Sequence, residues 1–286
     1  MFKVTVLLLA VLFSRTLLAA PVWQVTQGDN TFYVGGTIHV LSEQDYPLPE
    51  SFEVAYNASK VLFFETDMHA LNDVAVQQNL LQRVSLPAGE TLQNYLDPVQ
   101  YQALENWLRE AQLPSRAFDR YKTGFVTIQM LMIELQRAGI SAPGVDQYYF
   151  NRAAVDDKSV GELESIDDHL AFFETYGEGV ESELMEMALD ELKSIEYEMD
   201  SMRAAWRQGE ISYLEALYVT TMKDEFPELY QTLLVDRNRA WMPALIEMGK
   251  TPETELVLVG VAHLLGPDGV LIGLEQAGFE VTRVQN

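Results

Sequence analysis

Two six-residue segments near opposite ends of the chain share one pattern, a Gly-x-x-His followed by two aliphatic residues. They occupy residues 36–41 and 260–265, so the matching histidines are His39 and His263. Each segment directly follows a run of apolar residues that is typical of a buried strand. In an α/β sheet, ligands bind in the crevice beyond the carboxyl ends of the strands. The duplication therefore predicts that the two imidazoles meet at one end of a sheet, and it requires a fold that joins the two ends of the chain.

The glycine that opens each segment, Gly36 or Gly260, is predicted to border a bound ligand or cofactor. A missing side chain lets backbone or substrate come close where a strand ends. The alternative is that each histidine is a satisfied core or turn residue. The repeat favours a site, because turns alone need not place a histidine at the same offset from a glycine.

A carboxylate is predicted at a third strand terminus, because the apolar run 61–64 ends abruptly at Glu65. Two neutral imidazoles and one carboxylate leave open coordination positions on a divalent ion, which can activate water and polarise a carbonyl. His39, Glu65 and His263 are therefore the candidate metal ligands, and Asp67 is expected beside them as a supporting residue. By contrast, His169 follows acidic residues at a helix start and is interpreted as structural.

The pattern of apolar residues predicts an α/β fold that leans towards α+β. A mixed sheet is expected from both chain ends, with a large helical insertion covering the crevice. One domain is predicted over residues 21–286. Its sheet segments are expected at 21–66, 158–165 and 254–286, and its helical insertions at 70–157 and 166–250.

The composition indicates an exported protein. Residues 1–20 have one early lysine, an apolar run and small residues before Pro21, which is the layout of a signal peptide cut near Ala20. No later stretch is long and apolar enough to predict a membrane span. The chain has no cysteine, which fits a bacterial periplasm, although secretion from the cell is equally open. The formal net charge of −24 argues against nucleic acid as a partner.

A polar cluster at 236–239 interrupts an otherwise amphipathic helical pattern. Arg237 and Asn238 in this cluster are predicted to face the crevice and to stabilise negative charge as it develops. A solvated helix face is the alternative. Other chemistries are disfavoured, because the sequence has no His-Glu-x-x-His, no Gly-x-Gly-x-x-Gly and no Gly-x-Ser-x-Gly.

Taken together, these motifs resemble the TraB/GumN family, which includes the TraB and PrgY pheromone-shutdown proteins and the Tiki proteases. The resemblance rests on Gly36-Thr37-Ile38-His39, Phe64-Glu65-Thr66-Asp67, Leu86-Pro87-Ala88-Gly89-Glu90-Thr91-Leu92, Gly144-Val145-Asp146, Glu162-Leu163-Glu164, Ala205-Trp206-Arg207-Gln208-Gly209-Glu210, Asp236-Arg237-Asn238 with Trp241, and Gly260-Val261-Ala262-His263. It implies a metal-dependent peptidase that uses Mn or Co, with the two motif histidines and the strand-end glutamate as active-site residues. The sequence departs from the family pattern at Lys122-Thr123-Gly124, where an aromatic residue and a proline are expected.

The sequence therefore predicts an exported metal-dependent hydrolase that acts on a peptide or a small molecule. Its metal is expected to be Mn, Co or Zn. Its catalytic groups are expected to be His39, Glu65 and His263, supported by Arg237 and Asn238. The alternative is a non-catalytic periplasmic binder that sequesters a small peptide or a haem-like ligand in the same crevice.

Overall fold

The structure, a computed structural model, describes residues 20–285. Apart from Ala20, the predicted signal peptide lies outside the described residues. Within them, no helix combines the length and the apolar character that crossing a membrane requires.

Six strands form one mixed sheet, and two short strands pair separately. In chain order the strands are β1 (Val22–Gln27), β2 (Asn30–Thr37), β3 (Val40–Leu41), β4 (Val61–Phe64), β5 (Ala142–Pro143), β6 (Ser159–Glu162), β7 (Glu255–Gly260) and β8 (Glu280–Arg283). The main sheet has the order β6-β4-β7-β2-β1-β8, and β3 pairs antiparallel with β5. The first hairpin and the last strand lie together at one side of the sheet, so both chain ends build it.

The four strands β6, β4, β7 and β2 are parallel to one another. Because the carboxyl ends of parallel strands meet at the same edge, the residues that follow these strands converge there. The segment between β4 and β7 also contains most of the helices. The strand β7 is buried along its length except for Gly260, as expected for a central strand covered on both faces.

Helices fill the connections between the strands and cover the sheet. They are α1 (Glu50–Ala58), α2 (Val74–Arg83), α3 (Pro98–Glu110), α4 (Thr123–Arg137), α5 (Val145–Val155), α6 (Ile166–Thr175), α7 (Glu181–Glu191), α8 (Ile195–Gln208), α9 (Ile211–Leu214), α10 (Thr221–Glu225), α11 (Pro227–Tyr230), α12 (Asp236–Met248), α13 (Val261–Leu264) and α14 (Val270–Gln276). Two π-helical segments, Glu215–Thr220 and Gln231–Val235, join α9 to α10 and α11 to α12.

Two hydrophobic clusters stabilise the described residues. The larger one packs the sheet against α1, α5, α8, α12 and α14, with Phe52, Trp206 and Trp241 fully enclosed. The smaller one joins α3, α4 and α7 around Leu104, Trp107 and Met130. At about 25 cal/mol per Å² of buried apolar surface, these clusters supply the main force that holds the helices on the sheet.

The predicted fold class is confirmed: the chain is mixed α/β, with its sheet drawn from both ends. The long helical region expected at 166–250 is broken near Gly177, Gly209 and Pro227, where the sequence indicates breaks. The small β3–β5 ladder and the two π-helical segments were not predicted. Two-residue strands leave no periodicity to detect, and π-helical segments of six and five residues are too short to show a period of their own.

Candidate active site

Four parallel strands deliver four groups to one edge of the sheet. His39 follows β2, Glu65 follows β4, Glu164 follows β6, and His263 lies in α13 directly after β7. Pairing between β4 and β6 continues past both strands, because the amide of Glu164 donates to the carbonyl of Glu65 at 2.9 Å. The two motif histidines and the strand-end glutamate are therefore brought together, as the sequence predicted.

His39 is held from behind by Asp146, the second residue of α5. The Nδ1 atom of His39 donates to Asp146 Oδ2 at 2.9 Å, and Thr37 Oγ1 donates to Asp146 Oδ1 at 2.8 Å. The ring thus presents its Nε2 atom to the cleft, where the side chain is 63% exposed. Desolvation of the ring by the surrounding protein lowers the pKa of His39. The charge of Asp146 and its hydrogen bond outweigh this effect and raise the pKa to about 9.

The pairing of β3 with β5 brings Asp146 to His39, and it depends on Gly144. The amide of Val145 donates to the carbonyl of Ile38 at 3.0 Å. A Cβ atom at Gly144 would lie 2.2 Å from the carbonyl oxygen of His39, closer than any side chain allows. Only glycine permits this approach of two backbones, so the Gly144-Val145-Asp146 motif is a positioning device for His39.

His263 is buried, and its tautomer is fixed by Asn238. The amide nitrogen of Asn238 donates to the carbonyls of His263 and Asp268, at 3.0 and 2.9 Å. Its Oδ1 atom must therefore face His263 Nδ1, 2.8 Å away, and accept the proton that this nitrogen carries. The lone pair of the neutral ring then lies on Nε2, which points into the site.

The charge state of His263 agrees with this arrangement. Burial lowers the pKa of His263 to about 3; the charge of Glu65 opposes this shift and that of Arg237 adds to it. At neutral pH the ring is neutral, which is the state required of a metal ligand or a proton acceptor.

Arg237 crosses the site and makes ion pairs with two carboxylates. Its Nε and Nη2 atoms donate to Glu164 in a bidentate pair, at 2.8 and 2.7 Å. Nη2 also donates to Glu65 Oε2 at 2.7 Å, while Nη1 lies 3.1 Å from His263 Nε2. The guanidinium stacks against Trp241, whose indole NH donates to Glu164 at 3.1 Å. Arg237 is therefore a fixed cation whose main anchor is Glu164.

Glu65 lies between the two histidines. Its Oε1 atom is 3.9 Å from the Nε2 atom of each ring and accepts the amide hydrogen of Gly260 at 2.7 Å. Burial alone would raise the pKa of this carboxyl, but His263, Arg237, His39 and the Gly260 amide hold it well below its usual range. Glu65 is therefore ionised at neutral pH.

The two motif glycines have different surroundings. A Cβ atom at Gly260 would lie 3.3 Å from Glu65 Oε1 and 3.4 Å from His39 Nε2, so Gly260 borders the space between these groups. Gly36 instead lies inside β2, where a Cβ atom would come within 2.9 Å of Val261 Cγ2. Its missing side chain makes room for α13 to pack on the sheet, and Gly36 does not line the cleft.

The donor set of His39, Glu65 and His263 fits a divalent ion in chemistry and in orientation. Metal-binding imidazoles usually donate their second ring nitrogen to a carboxylate or carbonyl oxygen, as both rings do here to Asp146 and Asn238. Two features compete with an ion. His39, with its pKa raised to about 9, carries a proton at neutral pH that metal binding must release, and Arg237 Nη1 faces the lone pair of His263 Nε2. Coordination through that nitrogen requires the guanidinium to withdraw.

Sequence reasoning missed the role of Glu164 and His169. The Nδ1 atom of His169 lies 2.9 Å from Glu164 Oε1, and His169 also lines the cleft, so its structural role, expected from the sequence, is to hold Glu164 at the site. Among the described residues, Glu65, Glu164 and His169 have ligand atoms that all lie within 4.8 Å of one another, but Arg237 already bridges the two carboxylates. The position of Glu164 at the end of a short predicted strand was the available signal.

Two further residues differ from their expected roles. Asp67 does not support the candidate metal ligands, because its Oδ1 atom accepts the backbone amides of His69 and Ala70 and so caps a turn. Asn238 has both amide hydrogens committed to backbone carbonyls, so it positions His263 instead of stabilising developing charge. Arg237 alone of the pair 237–238 faces the cleft.

These groups form the floor of a cleft of about 770 Å³. The wall is apolar and comes from α4, α6 and the two π-helical segments. A polar floor with perturbed pKa values beneath apolar walls is the usual composition of a small-molecule or peptide site.

Comparison with known proteins gave one match. The sequence profile of the TraB/PrgY/gumN family matches residues 21–283. A search of curated proteins and a search of solved structures each found no match.

Proposed function

The chain belongs to the TraB/PrgY/gumN family, and on this basis we propose that it is a metal-dependent hydrolase of peptides, with His39, Glu65 and His263 as metal ligands. One observation carries the proposal. Glu65 Oε1 lies 3.9 Å from the Nε2 atoms of both motif histidines, and each ring is held at Nδ1 by an oxygen acceptor. Three ligand atoms so oriented leave coordination positions open to water and substrate.

A divalent ion in this site would polarise the scissile carbonyl and lower the pKa of a water molecule towards neutrality. The chain's own residues supply the rest. Asp146 and Asn238 hold the tautomers that direct Nε2 of each ring to the floor. Arg237 lies beside the same floor, bound to Glu65 and Glu164, and its guanidinium would stabilise negative charge that develops on a substrate oxygen there.

The rival function is a non-catalytic binder of a small peptide or haem-like ligand. The observation that favours it is the wall of the cleft, which is built mainly from apolar side chains. Both functions use the same cleft, but only the hydrolase requires His39 and His263 for turnover.

The experiment compares His39→Ala and His263→Ala with the matched control His69→Ala. His69 is an exposed histidine outside the cleft lining. We expect the wild type and His69→Ala to retain Mn, Co or Zn after dialysis and to cleave peptides from a library, while the two site variants lose both properties. Equal cleavage by all four proteins would contradict the hydrolase function. Retention of an unmodified ligand without turnover would support the binding function.

Export to the periplasm or the medium is part of the proposal, on the strength of the layout of residues 1–20. The family match begins at residue 21, which is consistent with a cut after Ala20. Amino-terminal sequencing of protein recovered from the periplasm or medium should read from Pro21 onwards. A chain that keeps Met1 in the cytoplasm would contradict export.

A further inference from the structure

The wall of the cleft presents aromatic rings that the core does not use. Phe172 and Phe173 lie on α6, half-buried, and neither belongs to the two hydrophobic clusters of the structure. Their rings contact each other at 5.4 Å, and Phe172 stacks on Tyr176 at 5.2 Å. Side chains that line a cleft without supporting the fold are free to take part in binding.

Another part of the wall comes from the two π-helical segments. Tyr218 lies on Glu215–Thr220, and Leu233 lies on Gln231–Val235, which ends two residues before Arg237. A π-helical turn holds one more residue than an α-helical turn and is frequent at functional sites. Both segments therefore turn additional apolar surface towards the same space that Phe172 and Phe173 face.

The charged groups of the floor are engaged with one another. Arg237 is neutralised by Glu65 and Glu164, Asp146 pairs with His39, and His169 pairs with Glu164. Among the described lining residues no lysine is present, and Arg237 is the sole arginine. The floor thus offers neither a spare cation for a terminal carboxylate nor a spare anion for a terminal amine.

Two phenol groups supply the remaining polarity of the wall. Within the described part of the chain, the hydroxyls of Tyr176 and Tyr218 have no hydrogen-bond partner, although both residues line the cleft. A backbone amide or carbonyl of a bound segment can satisfy such a hydroxyl. The wall can therefore hold an extended peptide backbone and its apolar side chains together.

The size of the cleft limits the occupant. About 770 Å³ lies within the range of sites that enclose ligands of drug size, and it is too small for a folded domain. It suits a few residues of an unfolded segment that reach the floor.

We propose that the substrate is an uncharged, internal peptide segment with a large aromatic or aliphatic side chain beside the scissile bond, and that Phe172 and Phe173 determine this preference. The inference rests on the proposed function, because it places the scissile bond over the floor of the same cleft. It goes further by specifying the residue type that the wall accepts and by excluding recognition of chain termini.

The experiment uses three peptides, blocked at both ends and identical except for one central residue, which is Phe, Ser or Asp. Dissociation constants are measured by titration calorimetry, and cleavage is followed by mass spectrometry with Mn present. For the wild type we expect the Phe peptide to bind at least about tenfold more tightly than the Ser peptide. Peptides with free ends should bind no more tightly than the blocked peptides.

Variants of the wall test the residues named. Phe172→Ser and Phe173→Ser should bring the Phe and Ser peptides to nearly equal affinity. Tyr197→Ser removes an aromatic side chain that is 76% exposed and lies outside the cleft lining, so it should keep the preference. Phe173→Lys should favour the Asp peptide over the Phe peptide, a gain that misfolding cannot produce.

The outcomes separate this inference from the proposed function. Tight binding of the Phe peptide without cleavage supports the apolar subsite and contradicts the proposed hydrolase function. Cleavage of all three peptides at equal rates, with equal affinities, keeps the hydrolase and overturns the subsite. Markedly tighter binding of peptides with free ends overturns the exclusion of chain termini.

Discussion

The Nη1 atom of Arg237 lies 3.1 Å from the Nε2 atom of His263. Because Asn238 fixes the proton on Nδ1, this contact places a guanidinium hydrogen on the lone pair of the neutral ring. The same guanidinium binds Glu65 and Glu164. Arg237 thus neutralises the acidic floor and also occupies the nitrogen that a metal would need.

Replacement of Arg237 by Gln should destabilise the protein and increase its response to divalent ions. It removes the guanidinium that bridges the two largely buried carboxylates of Glu65 and Glu164, which costs about 3 kcal/mol in the free energy of unfolding. Added Mn should raise the free energy of unfolding of Arg237→Gln by more than it raises that of the wild type, because the ion no longer competes with a guanidinium. Thermal unfolding with EDTA and with Mn measures both effects.

The matched control is Arg239→Gln, two residues further along α12, where the side chain is 73% exposed. Its free energy of unfolding should change by less than about 0.5 kcal/mol, with or without Mn. If Arg237→Gln responds to Mn no more strongly than Arg239→Gln, the guanidinium does not compete for the metal site.

Replacement of Asp146 by Asn should lower the pKa of His39. The carboxylate supplies the charge and the hydrogen bond that raise this pKa to about 9, and the amide keeps the shape without the charge. Nuclear magnetic resonance of the His39 ring over a pH range should show a pKa below 7 in the variant. Asp157→Asn, at an exposed position after α5, should leave the titration unchanged; a pKa that stays near 9 in Asp146→Asn would disprove the assigned cause.

Alanine at Gly260 should affect metal binding, whereas alanine at Gly144 should affect stability. The Gly260 backbone suits any residue, and its Cβ atom would only crowd Glu65 and His39 at 3.3 and 3.4 Å, so Mn binding should weaken while unfolding changes little. The Gly144 Cβ atom would meet the His39 backbone at 2.2 Å, which should cost about 3 kcal/mol or more. Urea unfolding and Mn titration of both variants distinguish the binding effect at Gly260 from the packing effect at Gly144. Similar unfolding midpoints for the two variants would contradict this distinction.

Acid should destabilise the protein between pH 6.5 and 4.5 through His263. The folded pKa of about 3 lies below the ordinary value near 6.5, so the unfolded chain binds a proton there that the folded chain does not. The contribution of His263 to stability is complete above pH 6.5 and is lost progressively as the pH falls towards 3. Urea unfolding at pH 7, 6 and 5 should show a slope that His263→Gln flattens and His69→Gln retains.

Much of the site could be predicted because its residues stand in fixed relation to strands. A glycine followed by a histidine after an apolar run identifies a strand end, and parallel strands bring such ends together, so His39, Glu65 and His263 were found from sequence. Glu164 was not assigned a role, because its strand has only four residues and is polar at both ends. Asp146 was overlooked as well, because its approach to His39 depends on the two-residue β3–β5 ladder and on one backbone contact at Gly144.

The hydrogen-bonding roles of Arg237 and Asn238 could not come from sequence for a different reason. Both residues were expected to face the crevice, and one residue along a helix rotates the side chain by roughly 100°. Arg237 therefore lines the cleft while Asn238 turns towards α13. Which neighbour an amide or guanidinium contacts depends on side-chain packing that no periodic pattern encodes.

The residues that form the floor of the cleft lie on both sides, in sequence, of the turn between α6 and α7 at residues 177–180. His39, Glu65, Asp146 and Glu164 precede this turn, and Arg237, Asn238 and His263 follow it. A protein opened at this turn would give two fragments, each with one motif imidazole and neither with the full ligand set. If the proposed metal site exists, divalent-ion binding by such a split protein would report reassembly of the halves.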